Sequence, residues 1–104
     1  PLRIGISVVD SSVEIADVEV SGAIEAGIRV DGDSRGLLLA NFLHANPGFG
    51  VVFSGKSASR AIGNWISENG RVPGALHPGI QIDSGAQPVL ERNVIVKNGR
   101  GPGA

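Results

Sequence analysis

Three aspartates and one histidine are the side chains of this chain best suited to acid–base chemistry. They are Asp31, Asp33, Asp83 and His77. Glycosidic bonds are cleaved by two carboxyl groups that lie about 5–5.5 Å apart in retaining enzymes and about 6.5–9.5 Å apart in inverting ones. The four residues are therefore candidate catalytic groups for cleavage of a polysaccharide.

The same aspartates also have a purely structural interpretation. Asp31 directly precedes Gly32, and Asp83 lies two residues before Gly85. An aspartate near a glycine commonly bonds its own backbone in a tight turn. A calcium site would need several carboxylates that converge with backbone carbonyls, and Asp31 with Asp33 is too few. The sequence therefore predicts neither a metal site nor a cofactor.

Aromatic and basic side chains are candidates for binding. Phe42 and Trp65 are 65 − 42 = 23 residues apart, which is the period of the repeat described below. We expect both to point outward on adjacent coils, where exposed aromatics can stack on sugar rings or pack against another subunit. Arg71 and His77 lie in the segment 71–78, the one insertion in the repeat, and such insertions often line a binding face. A surface excursion without a site is the alternative.

These residues are carried by a repeat that begins at Gly5, Gly27, Gly50 and Gly79. Each glycine is followed by an apolar residue, any residue, a second apolar residue and a polar turn. The spacings of 22, 23 and 29 residues are typical of stacked repeats. Apolar residues at alternate positions predict short strands, and 16 glycines beside 4% aromatic residues suit strands and tight turns. The prediction is an all-β parallel solenoid of about four coils, with three short strands in each.

Equivalent residues of successive coils should stack as ladders about 4.8 Å apart. Two inward ladders are predicted, Ile6/Ile28/Val51/Ile80 and Val8/Val30/Phe53/Ile82, with Ser7/Arg29/Val52/Gln81 between them facing solvent. A further ladder of hydrogen-bonded side chains is predicted at a corner, formed by Asp17, Asn41, Asn64 and Asn93, with Ala16 as the alternative to Asp17.

His44 follows the inward Leu43 and is expected to be a solvated, outward histidine.

Composition limits the classes of partner. Acidic and basic residues are interspersed and the net charge is −1, so no basic face for nucleic acid is predicted. No apolar run approaches the roughly 18 residues that span a bilayer. The chain begins at Pro1 without a leader, which predicts a domain cut from a longer protein. The open ends of a four-coil solenoid, and the outward aromatics, predict self-association as a dimer.

The pattern resembles the right-handed parallel β-helix repeats of pectate-lyase-like proteins and of carbohydrate-binding and sugar-hydrolase (CASH) domains. The resemblance rests on the corner Asn64-Trp65-Ile66, on Asn69-Gly70 and on the Gly-Ile-x-Val/Ile boxes, and it covers nearly all of residues 2–99. It implies a right-handed β-helix over residues 1–99 with a flexible tail at 100–104. It also favours an extracellular or periplasmic location.

The resemblance is less specific for function, since the family includes lyases, hydrolases, epimerases and non-catalytic domains. The family's hydrolase signatures Asn-Thr-Asp, Asp-Asp and Gly-His-Gly are missing from this chain. The expectation is a non-catalytic binding or scaffold domain of a larger protein, with a polysaccharide or a protein as partner. The alternative is a fragment or minimal form of a polysaccharide-processing enzyme that uses the acidic residues.

Overall fold

The computed structural model describes residues 2–83, 85–101 and 104. All regular secondary structure in these residues is β-strand, and none of them belongs to a helix that could span a bilayer. The strands are β1 (Ile4–Val9), β2 (Glu14–Ala16), β3 (Glu19–Val20), β4 (Ala26–Asp31), β5 (Leu37–Leu39), β6 (Phe42–His44), β7 (Phe49–Phe53), β8 (Arg60–Ile62), β9 (Trp65–Ser67), β10 (Arg71–Val72), β11 (Ala75–Leu76), β12 (Ile80–Ile82), β13 (Val89–Glu91) and β14 (Val94–Val96).

Twelve of these strands form three parallel four-stranded sheets. The strand orders are β1-β4-β7-β12 in the first sheet, β2-β5-β8-β13 in the second and β3-β6-β9-β14 in the third. Successive strands along the chain pass from one sheet to the next, so each coil contributes one strand to every sheet. The predicted β-helix of about four coils with three short strands per coil is confirmed.

The core is the interior of the coil stack. Register pairs Ile6 with Ile28, Ile28 with Val51 and Val51 with Ile80, as the first inward ladder predicts, and the second ladder is paired in the same way. Leu38, Leu43, Ala61 and Ile66 complete the interior from the other two sheets. No coil encloses its apolar side chains alone, so stability depends on stacking neighbours.

One outward position differs from its prediction. Val52 was expected to face solvent but is only 5% exposed. It pairs with Arg29 on one side and Gln81 on the other. Long polar side chains can lie along an apolar neighbour while their ends stay in water, which explains how an outward valine is covered.

The predicted hydrogen bonds between corner asparagines are present at the second corner, where each coil passes from the second sheet to the third. The Oδ1 atom of Asn64 accepts from the backbone N–H of Asn41 at 2.9 Å and from its Nδ2 at 3.0 Å, while the Nδ2 of Asn64 donates to Leu38 O and to Asn93 Oδ1, both at 2.9 Å. Both amide donors and both acceptor positions of Asn64 are therefore used inside the protein.

The first-coil member of this ladder was predicted wrongly. Neither Asp17 nor Ala16 lies beside Asn41, because the rung spacing here is 23 residues and places Val18 there. The backbone N–H of Val18 donates to Asn41 Oδ1 at 3.0 Å. Asp17 instead has a φ of 56° and forms the turn itself.

The residue before each rung of the ladder has left-handed backbone geometry. These residues are Asp17, Ala40, Gly63 and Arg92, with φ between 54° and 67°. Left-handed geometry costs an ordinary L-residue roughly 1–2 kcal/mol. The hydrogen bonds of the stacked amides therefore stabilise a backbone conformation that the non-glycine residues at these positions disfavour.

A second asparagine ladder, which was not predicted, runs through the third corner, where each coil returns to the first sheet. Asn46 donates from Nδ2 to Asn69 Oδ1 at 2.8 Å, and Asn69 does the same to Asn98 at 3.0 Å. The repeat glycines lie against this ladder: a Cβ built at Gly50 would be 2.9 Å from Asn69 Nδ2 and 2.7 Å from Gly79 O. At Gly27, Gly50 and Gly79 the glycine that starts the repeat box therefore leaves space for an asparagine amide of this ladder, whereas a Cβ at Gly5 would meet the side chain of Val20.

The insertion at residues 71–78 forms an antiparallel hairpin, β10–β11. Pro73 and Gly74 make its turn, and the φ of 84° at Gly74 suits the glycine of a type II turn. The hairpin absorbs the extra residues of the 29-residue repeat, so the rungs on either side keep their register.

The division into a domain at 1–99 and a tail at 100–104 stays a prediction. Pro1, Pro102 and Gly103 lie outside the described residues. Arg100 continues the stack, since its backbone N–H donates to His77 O at 3.1 Å.

Replacing Asn64 with alanine should lower the free energy of unfolding by roughly 1–3 kcal/mol, because Leu38 O and the Asn41 N–H lose their partner inside the core. Asn93→Ala is the graded control. Asn93 is half-buried and makes fewer bonds, so its loss should cost less. Chemical denaturation measures both variants, and equal stability of Asn64→Ala and the unmodified protein would contradict the ladder's role.

Two substitutions at the left-handed positions that precede the ladder, Ala40 and Gly63, should change the free energy of unfolding in opposite directions. Ala40→Gly should stabilise and Gly63→Ala should destabilise, each by roughly 0.5–1 kcal/mol after the unfolded-state entropy of glycine is included. A Cβ at Gly63 meets nothing within 4 Å, so backbone geometry alone decides the effect. Thermal melting of the two variants checks the prediction, which fails if both shift in the same direction.

Candidate functional site

The first candidate region is the first corner, where the chain leaves the first sheet. Asp31, Ser54 and Asp83 occupy equivalent positions on successive rungs, as shown by the bonds from Ser54 N to Val30 O and from Asp83 N to Phe53 O. Asp31 and Asp83 are therefore two rungs, or roughly 10 Å, apart. This spacing is close to the upper end of the range for inverting glycosidases.

The carboxylate of Asp31 serves its own turn. It accepts from the backbone N–H of Gly32 at 2.7 Å, and an Arg29 guanidinium nitrogen lies 3.9 Å from its other oxygen. The Gly32 bond, with the Ser54 hydroxyl and the charge of Arg29, lowers the pKa of Asp31 against an opposing effect of burial. A general acid needs a raised pKa, so Asp31 is suited to be an ionised turn residue or a carboxylate base.

The other two aspartates, Asp83 and Asp33, each pair with a residue other than Asp31. Asp83 accepts from Gln81 Nε2 at 3.1 Å. Asp33 is 67% exposed and lies 3.6 Å from Arg35 Nε. Its backbone N–H donates to the carboxylate of Asp10 at 2.8 Å. Asp10 is thus a further turn-forming aspartate that sequence reasoning did not single out.

His77 lies at the opposite end of the first sheet from the aspartates. Its ring packs against Phe49, with centroids 4.5 Å apart, and Phe49 begins β7 whereas Ser54 follows the end of that strand. Five residues of strand separate the two positions by about 16 Å. The structure therefore brings Asp31 and Asp83 to one column but does not bring His77 to them.

The second candidate region is the outer face of the third sheet, which we call the aromatic face and define by Phe42, Trp65 and Val94. Register pairs Phe42 with Trp65 and Trp65 with Val94, so the three lie on adjacent rungs. Phe42 and Trp65 are 41% and 50% exposed. Together with Ser67 and Glu68 they line a shallow groove of about 500 Å³. Their outward orientation on adjacent coils agrees with the sequence analysis.

One edge of the aromatic face is fixed by a histidine. The ring of His44 stacks on Phe42 with centroids 4.0 Å apart and an interplanar angle of 15°, and its Nε2 lies 2.6 Å from Glu19 Oε2. His44 points outward as expected, but it is half-buried by these contacts rather than fully solvated. One face of Phe42 is thus occupied, which leaves Trp65 as the larger free ring.

The inserted hairpin forms a third, more polar region at the end of the coil stack. Arg71 lies 3.9 Å from Glu68 and shares an open depression with Leu76, Lys97 and Asn98. Arg71 and His77 do not contribute to the aromatic groove, although Glu68 links Arg71 to its edge. In residues 2–83, 85–101 and 104 no group of three or more His, Cys, Asp or Glu side chains could hold a metal ion.

The asparagines of the third corner are the main residues that sequence reasoning missed. Asn46, Asn69 and Asn98 follow one another at 23 and 29 residues, the same spacings as Asn41, Asn64 and Asn93. That periodicity could have identified them. Each is followed by proline or glycine, which is typical of a turn, and turn composition does not reveal whether a side chain points inward.

Acidification should remove a stabilising contribution of Asp31. Because its pKa is lowered in the folded protein, that contribution is present above the ordinary value of 3.8 and is lost as the pH falls through the folded pKa. Asp31→Asn keeps an acceptor for Gly32 and should therefore show a smaller fall in melting temperature between neutral and acidic pH. Ser54→Ala should give an intermediate result, and identical pH profiles for all three proteins would contradict the assignment.

Comparison with known proteins agrees with this geometry. A family model described as the right handed beta helix region matches residues 2–104. No curated protein and no solved structure gives a significant match. With a model that matches almost the whole chain, and three parallel sheets in the register of stacked coils, this chain belongs to the right-handed β-helix family.

Proposed function

We propose that this β-helix is a non-catalytic binding domain whose aromatic face holds an extended saccharide chain. The observation that carries the proposal is the pair of exposed aromatic rings on adjacent rungs, Phe42 and Trp65. The rings repeat along the solenoid axis at the strand spacing of about 4.8 Å. A ligand with repeating rings can contact both of them at once.

The surroundings of the groove favour a polar ligand. Ser67 and Glu68 line it beside the two rings, and Glu19 and His44 lie at its other edge. Binding sites for small ligands combine apolar surface with a few polar groups that fix orientation. Hydroxyl groups of a sugar can donate to the carboxylates while its apolar ring face packs on Trp65.

A protein partner fits this face less well. Stable protein interfaces bury about 1,200–2,000 Å² in total. The aromatic face offers the exposed apolar surface of three side chains, Phe42, Trp65 and Val94, which is a small area by comparison. The predicted dimer would have to bury more than this face provides. A saccharide requires a smaller area, since its contacts are confined to the groove.

The enzymatic alternative has one favourable observation, the shared column of Asp31 and Asp83. Each carboxylate already accepts a hydrogen bond from a neighbouring residue, Gly32 or Gln81. His77 is distant from both. The binding proposal requires no acid–base pair, so it is consistent with aspartates that act as turn formers.

Trp65→Ser should weaken binding of a saccharide selected on a glycan array by about tenfold, equivalent to roughly 1.4 kcal/mol. Val94→Ser is the matched control: it removes an apolar side chain from the next rung without removing a ring, and binding should change little. Isothermal titration calorimetry provides the affinities, and thermal melting establishes that both variants are folded.

The aspartate variants separate the two functions. Asp31→Asn and Asp83→Asn should leave saccharide affinity unchanged because asparagine supports the same turns. Release of reducing ends by the unmodified protein, lost in either variant, would replace the binding proposal with the enzymatic one. Affinity that is insensitive to Trp65→Ser would place the binding site elsewhere.

A further inference from the structure

The third corner contains a dipeptide, Asn69-Gly70, that is chemically labile in an unfolded chain. An asparagine followed by glycine loses ammonia readily, because a residue without a Cβ lets its backbone nitrogen reach the asparagine side-chain carbonyl. Most of the ladder asparagines lack this neighbour. Asn46 is followed by a proline, which has no N–H, and bulky residues follow Asn41, Asn64 and Asn93.

The fold keeps the two reacting groups of this dipeptide apart. The Oδ1 atom of Asn69 accepts from the Asn46 backbone N–H at 3.2 Å and from its Nδ2 at 2.8 Å, and the Nδ2 of Asn69 donates to Leu43 O and Asn98 Oδ1, both at 3.0 Å. The attacking nitrogen is that of Gly70, whose N–H donates to Asn46 O at 2.9 Å. Asn69 is 0% exposed. The reaction therefore requires the side chain to rotate, these bonds to break and water to enter.

The glycine of this dipeptide is required by the hairpin β10–β11. Gly70 has a φ of 66°, and a Cβ built there would overlap the backbone oxygen of His77. The backbone N–H of His77 in turn donates to Gly70 O at 2.9 Å. Any larger residue at position 70 would be strained and would displace the end of the hairpin. The labile dipeptide is therefore a consequence of how the hairpin packs on the corner.

We propose that Asn69 is a modification site that folding keeps closed, and that its deamidation makes an opening of the third corner irreversible. In the open corner the Gly70 nitrogen forms a bond to Cγ of Asn69. The side-chain NH₂ leaves with the proton of that nitrogen as ammonia, and a cyclic succinimide remains. Water then opens the ring at either carbonyl and gives aspartate or isoaspartate, so the sequence of steps consumes water and releases ammonia without an oxidant or a reductant.

Neither product can take the place of Asn69 in the ladder. Both lack the Nδ2 donors, and a carboxylate at this position would face two acceptors, Leu43 O and Asn98 Oδ1. A buried charge without a partner is strongly unfavourable. Isoaspartate also adds a methylene group to the backbone, which disturbs the register between coils. This inference is independent of the proposed saccharide site, which lies on the outer face of the third sheet.

The rate of deamidation tests whether the fold closes the site. The protein is incubated at mildly alkaline pH, either folded or in guanidinium chloride, and trypsin then releases the peptide 61–71, which contains both Asn69 and Asn64. Mass spectrometry should find deamidation of Asn69 in the denatured chain, with Asn64 unchanged as the control in the same peptide. Folding should slow the reaction at Asn69 by about a hundredfold or more, which corresponds to an opening that costs roughly 2.8 kcal/mol. Equal rates in the folded and denatured protein would overturn the inference.

Refolding tests whether the modification prevents closure. Protein that has been partly deamidated in guanidinium chloride is diluted to refold, and size-exclusion chromatography separates the folded chains. Chains modified at Asn69 should be depleted about tenfold from the folded fraction relative to the starting mixture, and chains modified at Asn98 are counted from their own tryptic peptide, 98–100. Modified Asn69 at its starting proportion in the folded fraction would show that the product is accommodated and would overturn the inference.

A substitution that reproduces the product provides a second check on closure. Asn69→Asp should lower the melting temperature at neutral pH much more than Asn93→Asp, because Asn69 is fully buried and joins two neighbouring coils whereas Asn93 is half-buried. Failure of Asn69→Asp to fold is the extreme form of the expected result. Equal melting temperatures of the two variants would contradict the proposal.

Discussion

The backbone amides at two corners of every coil must find acceptors inside the protein, and stacked asparagine side chains provide them. Four of the asparagines use the amide oxygen for the coil before and the Nδ2 donors for both the coil before and the coil after, so that one residue joins three rungs; they are Asn41, Asn46, Asn64 and Asn69. This arrangement fixes the register to one residue, holds the preceding residue in left-handed geometry, and excludes a side chain at the neighbouring repeat glycine. Short strands that would be marginal alone are stable because the corners between them cannot shift.

The first corner meets the same need with different residues, and this bears on the acidic side chains. Asp31 accepts from Gly32, Asp10 accepts from Asp33, and the Ser34 hydroxyl accepts from the backbone N–H of Ser11. Carboxylates with such bonds are held where the turn requires them, which is not necessarily where a reaction would require them. The third sheet is different: Phe42 and Trp65 project outward from it on adjacent rungs, and the proposed saccharide site uses these two rings.

The direction of the ladders makes the coil stack polar along its axis. Val18 and Ala23 begin the ladders without side-chain amides, and an asparagine there would find no preceding coil in this structure to which its Nδ2 could donate. At the other end the Nδ2 atoms of Asn93 and Asn98 donate to the preceding coil, at Ala61 O and Ile66 O.

The sequence by itself determined the repeat period, the short strands, both inward ladders of the first sheet, the Asn41/Asn64/Asn93 ladder and the outward direction of Phe42 and Trp65. These are local properties, because side-chain direction alternates along a strand and equivalent positions recur at the period of the coil. Only the tertiary structure decided that Val18, rather than Asp17 or Ala16, lies beside Asn41 in the ladder. It also decided which further asparagines point inward, namely Asn46, Asn69 and Asn98. The burial of Val52, and the distance of His77 from Asp31 and Asp83, were likewise decided by the tertiary structure. Each of these features depends on which residues of the neighbouring coils lie beside the residue in question. A one-residue shift in the register between coils changes the side chain that faces the ladder, and such a shift cannot be read from composition.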